Sequence, residues 1–448
     1  MPFSPDSETG MGPMMTGQPK AGRAGDLAMA RRSPRAAFLV PLAVAAALIA
    51  IAMPLLAPQS ACARPGFAAF LETLWPDARD RFGVSRPTFD AAFAGLQPDL
   101  SLPDLEIPGQ AQREVRQAEF TREPRDYLDA DRLARLAETG KSLVSRYAEA
   151  LARIEAKHGV DRYSVLAIFG RETAFGSYQP PHDAIRVLAT QAWTGRRTEL
   201  FRDELLHALK LLEMGVPRAR MKASWAGAMG LTQFMPSEFF SHASLDSGKG
   251  FADLFTSVPD ALESAARQLA GKGWVRGQTW GYEVVIPPSS DCAEEGPPGA
   301  RTIAEWASLG FKRAGARAFP ADVLAAKAYL MSPAGAHGPS FLALENFQVI
   351  RRYNTSDLYA TFVGNLADRI AGGGPFVTPF KSIGPQKTAI IRGTQEALQA
   401  KGYPIDIVDG FIGSNTRRQV GLYQRASGLP VDCWPSERTL AHLRAAAP

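Results

Sequence analysis

The chain alternates between long segments with helical spacing of apolar residues and short segments rich in glycine and proline. Between about residues 67 and 370, apolar residues recur three and four positions apart, which is the spacing of a buried helix face. The segments with this spacing are Leu133 to Ile154, Val165 to Phe169, Leu200 to Met214, Ala261 to Leu269, Val323 to Leu330 and Leu358 to Ile370. Tyr282 to Ile286 instead alternates with the period of a strand. The pattern predicts a domain that is mainly α with minor β.

A glycine-rich stretch at residues 371–375 ends the helical pattern. Glycine and proline without apolar periodicity are typical of a turn or linker, and we place a linker at residues 373–386. Helical spacing resumes at Ile390. The chain is therefore predicted to form a large domain over residues 64–372 and a small domain over residues 387–446, a size that folds alone only marginally.

The small domain contains a near-repeat. Asp409-Gly410 and Asp432-Cys433 each precede a threonine that lies seven residues after the aspartate, and each copy is predicted to be a turn that leads into a helix. A plain helix-turn-helix packing unit is the alternative interpretation. Because Cys433 replaces the glycine of the first copy, we expect the second turn to differ in shape.

The N-terminal residues 1–63 have the order of a secretory signal. Three arginines between residues 31 and 35 precede an apolar run at residues 36–57, and small residues follow up to Ala63. We therefore expect a poorly ordered N-terminus and a signal peptide, cleavage after Ala63, and export to the periplasm. Two alternatives stay open, an uncleaved membrane anchor and a lipid anchor on Cys62, and either would retain the protein at the inner or outer membrane.

Net charge and the placement of histidines and cysteines argue against nucleic-acid binding, zinc chemistry and a catalytic thiol. The formal net charge of +5 becomes smaller when residues 1–63 are removed, so it favours no nucleic-acid partner and supports at most a diffuse attraction to an acidic polymer. The six histidines are scattered and lack the spacing of a zinc site. Cys292 and Cys433 lie in loop or turn segments without the features of an activated thiol. They would be able to pair in an oxidising compartment, but the sequence leaves their separation open.

Glu172 is the candidate catalytic residue, within the stretch IFGRETAFG from Ile168 to Gly176. Asp161 is a suitable N-cap for a helix here, and Val165 and Phe169 share a helical face with Glu172. A carboxyl against apolar side chains has a raised pKa, which suits a general acid at neutral pH. Taken alone, the same glutamate is also compatible with a solvated helix end.

A second polar segment reads SWAGAMGLTQFMP from Ser224 to Pro236. Its glycines permit close approach of the backbone to a ligand, and Trp225 and Phe234 offer flat faces to sugar rings. A tight packing loop is the alternative, and polar groups such as Gln233 would then need partners inside the protein.

Five ordered motifs resemble the membrane-bound lytic murein transglycosylase B family: IFGRETAFG, GRRTELF, SWAGAMGLTQFMPS, KGWVRG and ENFQVIRRYNTS. They extend over about residues 67–370. The small domain, with TQEALQAKGYP, DGFIGSNTRRQVGLYQ and GLPVDCWP, resembles the peptidoglycan-binding domain that some of these enzymes carry. The resemblance implies a lysozyme-like catalytic domain followed by a small three-helix peptidoglycan-binding domain.

The resemblance also implies functional residues. Glu172 matches the catalytic acid/base of the family. The positions that match substrate-contacting or cleft-lining residues are Ser224, Gln233, Arg196, Arg197, Asn346, Phe347, Tyr353, Asn354 and, more weakly, Tyr282. The two arginines would pair with carboxylates of the peptide stems. A solvated helix start is their alternative interpretation.

The reaction that the resemblance implies needs one carboxyl group, whereas ordinary glycosidases use two. Glu172 would protonate the bond between N-acetylmuramic acid (MurNAc) and N-acetylglucosamine (GlcNAc), then accept the proton of the muramyl C6 hydroxyl as it closes a 1,6-anhydro ring. No cofactor is implied. The partners would be glycan strands and peptide stems of peptidoglycan, with other cell-wall enzymes as a further class. A hydrolytic muramidase and a non-catalytic wall-binding protein remain the rival functions.

Some members of the family bind calcium in a loop that corresponds here to residues 245–251. Lys249 puts a positive charge where a hard cation would need an oxygen ligand. We therefore predict no calcium and no other metal.

Overall fold

The computed structural model describes residues 66–110, 118–245 and 252–445. The predicted signal peptide and nearly all of the 245–251 loop lie outside these residues. Within them, no helix is long and apolar enough to span a bilayer.

Helices dominate both parts of the chain. The large domain contains the helices α1 (Phe67–Glu72), α2 (Trp75–Asp80), α3 (Arg86–Phe93), α4 (Ala118–Thr121), α5 (Pro124–Tyr127), α6 (Ala130–Arg146), α7 (Ala148–His158), α8 (Arg162–Thr173), α9 (Ala184–Thr194), α10 (Thr198–Glu213), α11 (Pro236–His242), α12 (Val258–Gly271), α13 (Ile303–Ser308), α14 (Glu345–Arg351) and α15 (Asp357–Ile370). The small domain contains α16 (Thr388–Ala400), α17 (Ser414–Ala426) and α18 (Glu437–Ala445). This is the three-helix domain expected from the sequence.

The strands are few and short, and all of their pairings are antiparallel. They are β1 (His182–Asp183), β2 (Lys222–Ala223), β3 (Gly281–Val285), β4 (Arg301–Thr302), β5 (Lys312–Arg313), β6 (Lys327–Met331) and β7 (Ser340–Ala343). β1 pairs with β2, and the other five form a sheet in the order β4-β6-β7-β3-β5. A mainly α fold with minor β is confirmed, and β3 matches the strand predicted at Tyr282 to Ile286.

One predicted helix is wrong. Val323 to Leu330 forms a 3-10 turn, Ala321–Val323, followed by strand β6. Residues 328–331 are all buried, so β6 lacks the alternation of buried and exposed positions that would have identified a strand. The long pattern from Leu133 to Ile154 is helical, but it breaks at Tyr147, whose φ of −112° and ψ of 27° separate α6 from α7.

Helix α8 lies at the centre of the large domain. Every residue from Ser164 to Thr173 is buried, and α6, α12 and α15 pack around the helix. The apolar stripe predicted for this segment is therefore part of a helix without a solvated face. Such a position places the carboxyl of Glu172 inside the protein, which a surface helix would not do.

The near-repeat of the small domain builds two turns of the same form. Asp409 Oδ1 accepts a hydrogen bond from the backbone N–H of Phe411 at 2.8 Å, and Asp432 Oδ1 accepts one from Trp434 at 2.9 Å. The prediction that the second turn differs in shape is wrong. Cys433 has a left-handed φ of 57°, and Gly410 at the same position of the first copy has a left-handed φ of 81°. The backbone N–H of Cys433 donates to Gln424 Oε1 at 2.9 Å, which helps to hold this conformation.

The segment predicted as a linker follows the surface of the large domain. The backbone N–H groups of Val377 and Thr378 donate to the carboxylate of Glu283 at 2.8 and 2.7 Å. Further along, Ile383 N–H donates to Glu123. These contacts fix the path of the chain between the two domains.

A disulfide joins the two domains. Cys292 and Cys433 are 141 residues apart in sequence and their Cα atoms lie 6.1 Å apart. Both residues are buried and form one hydrophobic cluster with Ala293, against which Leu422 and Val431 pack. The pairing that the sequence leaves open is therefore present in the structure.

Replacing both cysteines with serine is expected to lower the free energy of unfolding by about 2–4 kcal/mol, because the disulfide closes a long loop in the unfolded chain. Denaturant unfolding of the oxidised protein and the double variant measures this difference. Peptide mapping without reduction is the control for the bond itself. Two free thiols in the oxidised protein, or equal unfolding midpoints, would contradict the prediction.

Candidate active site

The end of helix α8 is fixed just after Glu172. Asp161 caps the start of the helix by accepting from Ser164 N–H at 2.8 Å, as the sequence predicts. At the other end Ala174 and Phe175 have left-handed φ values of 47° and 59°, so the chain turns away immediately. Thr173 Oγ1 donates to the carbonyl of Leu231 at 2.8 Å and thereby ties this turn to the 224–236 loop.

Glu172 is a buried acid with a hydrogen-bond donor on its carboxyl. Its exposed fraction is 7%, and the hydroxyl of Tyr359 donates to its Oε1. Burial raises the pKa of Glu172 to about 8, although the Tyr359 hydrogen bond and the charge of Arg171 oppose the rise. The carboxyl is therefore protonated at neutral pH, which is the state that a general acid needs.

Arg171 is a buried cation behind the acid. Its guanidinium lies over the rings of Tyr127, Tyr359 and Phe362, at 5.1, 5.6 and 5.0 Å from their centroids. Its Nη2 donates to the Tyr127 hydroxyl at 2.6 Å. The aromatic rings let the cation stay inside the protein, where it favours ionisation of Glu172 once the proton has been given away.

The 224–236 loop is a tight turn held by its own polar groups. Gly230 has a φ of 77°, and a Cβ at this position would lie 2.7 Å from the carbonyl oxygen of Leu254. Ser224 is fully buried, and its Oγ accepts from the N–H groups of Ala226 and Ala228 at 3.3 and 3.2 Å. Gln233 has a φ of 52° and its Nε2 donates to Gly230 O at 2.9 Å. Both side chains shape the loop, and their contact with substrate stays a prediction.

Residues 353–359 line the other side of the acid. The Tyr353 hydroxyl donates to Thr232 O at 2.6 Å, and its ring stacks on Tyr359 at 6.4 Å between centroids. Asn354 Nδ2 donates to Glu119 Oε1 at 3.4 Å. Tyr353 and Asn354 therefore lie in the segment that leads to Tyr359, and their contact with substrate stays a prediction. Tyr359, which bonds the acid, was not singled out by the sequence.

Asn346 and Phe347 have structural contacts instead. Asn346 is fully buried. Its Oδ1 accepts from the backbone N–H of Val275 at 2.7 Å, and its Nδ2 donates to Val275 O at 2.9 Å and to Gln278 O at 2.6 Å. Phe347 is also fully buried and packs against the Trp280 ring at 6.0 Å. These contacts hold the KGWVRG segment on α14 and leave neither side chain free to face a ligand.

Tyr282 is not brought together with Glu172. It lies on β3 opposite Leu342 and packs against Phe319 at 5.8 Å, in a hydrophobic cluster separate from the one that contains α8. The Arg313 guanidinium covers its ring at 4.8 Å. Its proposed place on the cleft wall has no support from these contacts.

Arg196 and Arg197 precede α10 and share one buried carboxylate. Arg196 Nε donates to Asp104 Oδ1 at 2.9 Å and Arg197 Nη2 to Asp104 Oδ2 at 3.4 Å. The Arg196 side chain is 53% exposed, and that of Arg197 is 27% exposed. Two cations share one carboxylate, so the three side chains together carry a net positive charge. The predicted contact of the two arginines with the anionic peptide stems stays a prediction.

Two further carboxyl groups raise the pKa of Glu172 through their charge, those of the buried Glu119 and the largely buried Glu238. Glu238 accepts from Met235 N–H at 3.0 Å and Gln268 Nε2 at 2.6 Å, which occupies both of its oxygens. Burial raises the pKa of Glu119 above its ordinary value, and its Oε1 accepts from Asn354 Nδ2 at 3.4 Å. Both carboxyl groups are thus held by hydrogen bonds from within the protein.

Groups of three or more histidine, cysteine or acidic side chains suited to a metal do not occur in the described parts of the chain. Residues 246–251, where the family's calcium loop would lie, are outside them. The predicted absence of calcium therefore stays a prediction.

Comparison with known proteins supports the same assignment for both domains. Residues 66–368 match the family model described as a transglycosylase SLT domain, and residues 390–443 match a putative peptidoglycan binding domain. Membrane-bound lytic murein transglycosylase B of Escherichia coli (strain K12) is 31% identical over 236 residues, which cover 51% of this chain and 62% of that protein. The match thus spans less than two thirds of the relative's length.

Solved structures share the fold. SltB3 from Pseudomonas aeruginosa, crystallised with NAG-anhNAM-pentapeptide, is 35% identical with a TM-score of 0.75, and the match covers 85% of this chain and 100% of that one. SltB1 from the same organism is 27% identical with a TM-score of 0.55, covering 68% of this chain and 98% of that one. The resemblance found in the motifs is confirmed. The chain belongs to the transglycosylase SLT domain family, related to lytic murein transglycosylase B, and carries a peptidoglycan-binding domain after it.

Proposed function

We propose that this protein is a lytic transglycosylase that cleaves the β-1,4 bond between MurNAc and GlcNAc in peptidoglycan and leaves a 1,6-anhydroMurNAc end. The observation that carries the proposal is Glu172, a buried acid with a pKa of about 8 and a donor on its carboxyl. The motif resemblance implies that this residue is the catalytic acid/base of the family. The related SltB3 was crystallised with a fragment that contains an anhydro sugar.

In the first step Glu172 donates its proton to the oxygen of the bond that breaks. The neutral acid becomes a carboxylate inside the protein, where the Tyr359 hydroxyl and the Arg171 cation both stabilise the new charge. As GlcNAc departs, C1 of MurNAc develops oxocarbenium character, which the substrate's own N-acetyl group can stabilise.

In the second step the same carboxylate acts as a base. It accepts the proton of the muramyl C6 hydroxyl while that oxygen bonds C1 and closes the anhydro ring. A carboxylate whose conjugate acid has a pKa of about 8 is a stronger base than an ordinary glutamate, so one environment serves both steps. The nucleophile comes from the substrate, and a second carboxylate is not needed.

The small domain is proposed to hold the enzyme on the wall. It carries a cavity of about 370 Å³ with Ile391, Ile412 and Trp434 in its lining and Lys387 and Arg438 among its polar residues. A lining that combines apolar side chains with Arg438 and the Lys387–Glu437 ion pair fits peptide stems, which combine alkyl groups and carboxylates. The proposed substrate contacts in the large domain are Ser224, Gln233, Arg196, Arg197, Tyr353 and Asn354.

We place the protein outside the cytoplasm, in the periplasm, because its substrate lies there and because its two domains are joined by a disulfide. The signal peptide, the alternative membrane or lipid anchor, and association with other cell-wall enzymes belong to the same proposal.

The masses of the fragments released from purified sacculi test the proposed reaction. We expect anhydromuropeptides, each lighter by one water than the product of a muramidase, because C6 and not water attacks C1. Incubation in H₂¹⁸O is the control, since hydrolysis would incorporate the heavy oxygen. Hydrated, labelled fragments would establish a muramidase, and release of no fragments would leave a wall-binding protein.

A further inference from the structure

A fully buried cation of the small domain reaches into the large domain. Arg417 on α17 is 1% exposed. Its Nε and Nη2 donate to the carboxylate of Glu295 at distances from 2.5 to 3.2 Å, and Nη2 also donates to Asp357 Oδ2 at 2.6 Å. The side chains of Glu295 and Asp357 are 0% and 4% exposed. Charges this deep are held by fixed, multiple hydrogen bonds, so the contact sets the position of both domains.

Asp357 is the first residue of α15, two positions before the tyrosine that bonds the catalytic acid. Its carboxylate is held between Arg417 and Arg351, whose Nε lies 2.9 Å from Oδ1. Burial acts against its ionisation, but the charges of Arg351 and Arg417 outweigh burial and hold its pKa below the ordinary value. The start of α15 is therefore anchored from both domains at once.

The anchored turn presents Tyr359 to Glu172. Ser356 caps α15 by accepting from the backbone N–H of Tyr359 at 3.3 Å, and the Tyr359 hydroxyl donates to Glu172 Oε1. A shift at Asp357 would move this hydroxyl, because less than one helical turn of rigid backbone separates the two residues.

A second contact reaches the same turn from another side. Phe411 of the small domain stacks on Phe120 of α4, with centroids 4.4 Å apart and planes at 25°. The neighbouring Glu119 accepts from Asn354, and Asn354 Oδ1 accepts from Ser356 N–H at 3.1 Å. The small domain thus bears on residues 354–359 through two separate contacts.

We propose that the peptidoglycan-binding domain is part of the active-site scaffold, with Arg417 as a positioning residue that holds Tyr359 on Glu172. This inference rests on the proposed lytic transglycosylase function. It goes beyond that function because a domain that serves only to hold the wall would affect the capture of sacculi and not the chemical step.

The test uses the full chain and a soluble substrate of two GlcNAc-MurNAc-pentapeptide units, which needs no anchoring to the wall. For Arg417→Met we expect kcat to fall on the order of tenfold, because small misplacements of catalytic groups have effects of this size or larger. The alkaline limb of the kcat/KM profile should move to higher pH, because the Tyr359 hydrogen bond lowers the pKa of Glu172.

Arg425→Met is the matched control. Arg425 is on the same helix and also bonds the large domain, with Nη2 at 2.6 Å from Asp291 Oδ1, but its side chain is 48% exposed and its partner is not part of α15. We expect kcat within about twofold of the wild type, as for removal of an exposed ion pair.

Phe411→Ala provides a second variant that leaves the buried charges intact. We expect a decrease in kcat of about two- to fivefold from loss of the half-buried stack. If Arg417→Met does not fold, this variant decides the question. Wild-type kcat and an unmoved alkaline limb in every folded variant of Arg417 and Phe411 would overturn the inference. If instead the wild type releases no anhydro product, the proposed function itself fails.

Discussion

Replacing Glu172 with glutamine is expected to reduce the release of fragments from sacculi by about 100- to 10,000-fold, the usual contribution of a positioned general acid. Glutamine has nearly the same size, and its amide oxygen can still accept from Tyr359. It cannot donate a proton to the glycosidic oxygen or accept one from the C6 hydroxyl. Chromatography of the released fragments measures the loss, and co-sedimentation with sacculi should show that binding is retained.

Glu204→Gln is the matched control for this substitution. Glu204 is also buried, burial raises its pKa to about 7, and it accepts from the backbone and hydroxyl of Ser237 at 2.9 and 2.7 Å. Glu204 therefore resembles Glu172 in its burial and raised pKa, but it does not bond Tyr359 and is not part of the proposed active site. We expect the folded Glu204 variant to keep its activity. Near-normal activity of the Glu172 variant would remove the central assignment.

Replacing Tyr359 with phenylalanine is expected to lower kcat/KM by about 10- to 100-fold, since hydrogen bonds to charged groups are worth about 1.5–3 kcal/mol. The lost donor stabilises the carboxylate that forms when Glu172 gives up its proton. Without it, the pKa of Glu172 rises above the wild-type value of about 8.

The pH dependence of kcat/KM tests the direction of this change in the pKa of Glu172. Glu172 must be protonated to start the reaction, so activity is present below its pKa and is lost as the pH rises through it. The alkaline limb of kcat/KM should lie near pH 8 in the wild type and at higher pH in the variant. Tyr423→Phe removes the hydroxyl of another buried tyrosine, which bonds His442 in the small domain, and should leave the limb in place. A limb that moves down would refute the proposed role of Tyr359.

Sequence spacing predicted the parts of the site that depend on local pattern. The cap at Asp161 and the apolar residues that precede Glu172 on α8 follow from residues within one helix, and the structure agrees with both. The motif resemblance extended this to Tyr353 and Asn354, which lie at the site. Local pattern was sufficient here because each feature depends on neighbours within about two helical turns.

Contacts between distant segments were not predictable in the same way. Tyr359 bonds a residue 187 positions earlier, and nothing in its own helix shows that it, and not another aromatic residue, faces the acid. Asn346 is a second example, because this polar residue of a family motif is fully buried and bonds the backbone of Val275, a contact that the motif alone does not predict. The segment of strand β6 was predicted as a helix because both faces of the strand are buried, so its apolar and polar residues do not alternate.

The buried pairs of Arg417 have a consequence for the exchange of wall-binding modules between enzymes. Recombination that replaces the module with a foreign one lacking this arginine would leave the buried Glu295 without its cation and Asp357 with Arg351 alone, at a cost of about 3–5 kcal/mol. It would also leave Cys292 without its partner. The two halves of this chain should therefore be inherited together, and a working chimera would need matched residues at positions 417 and 433.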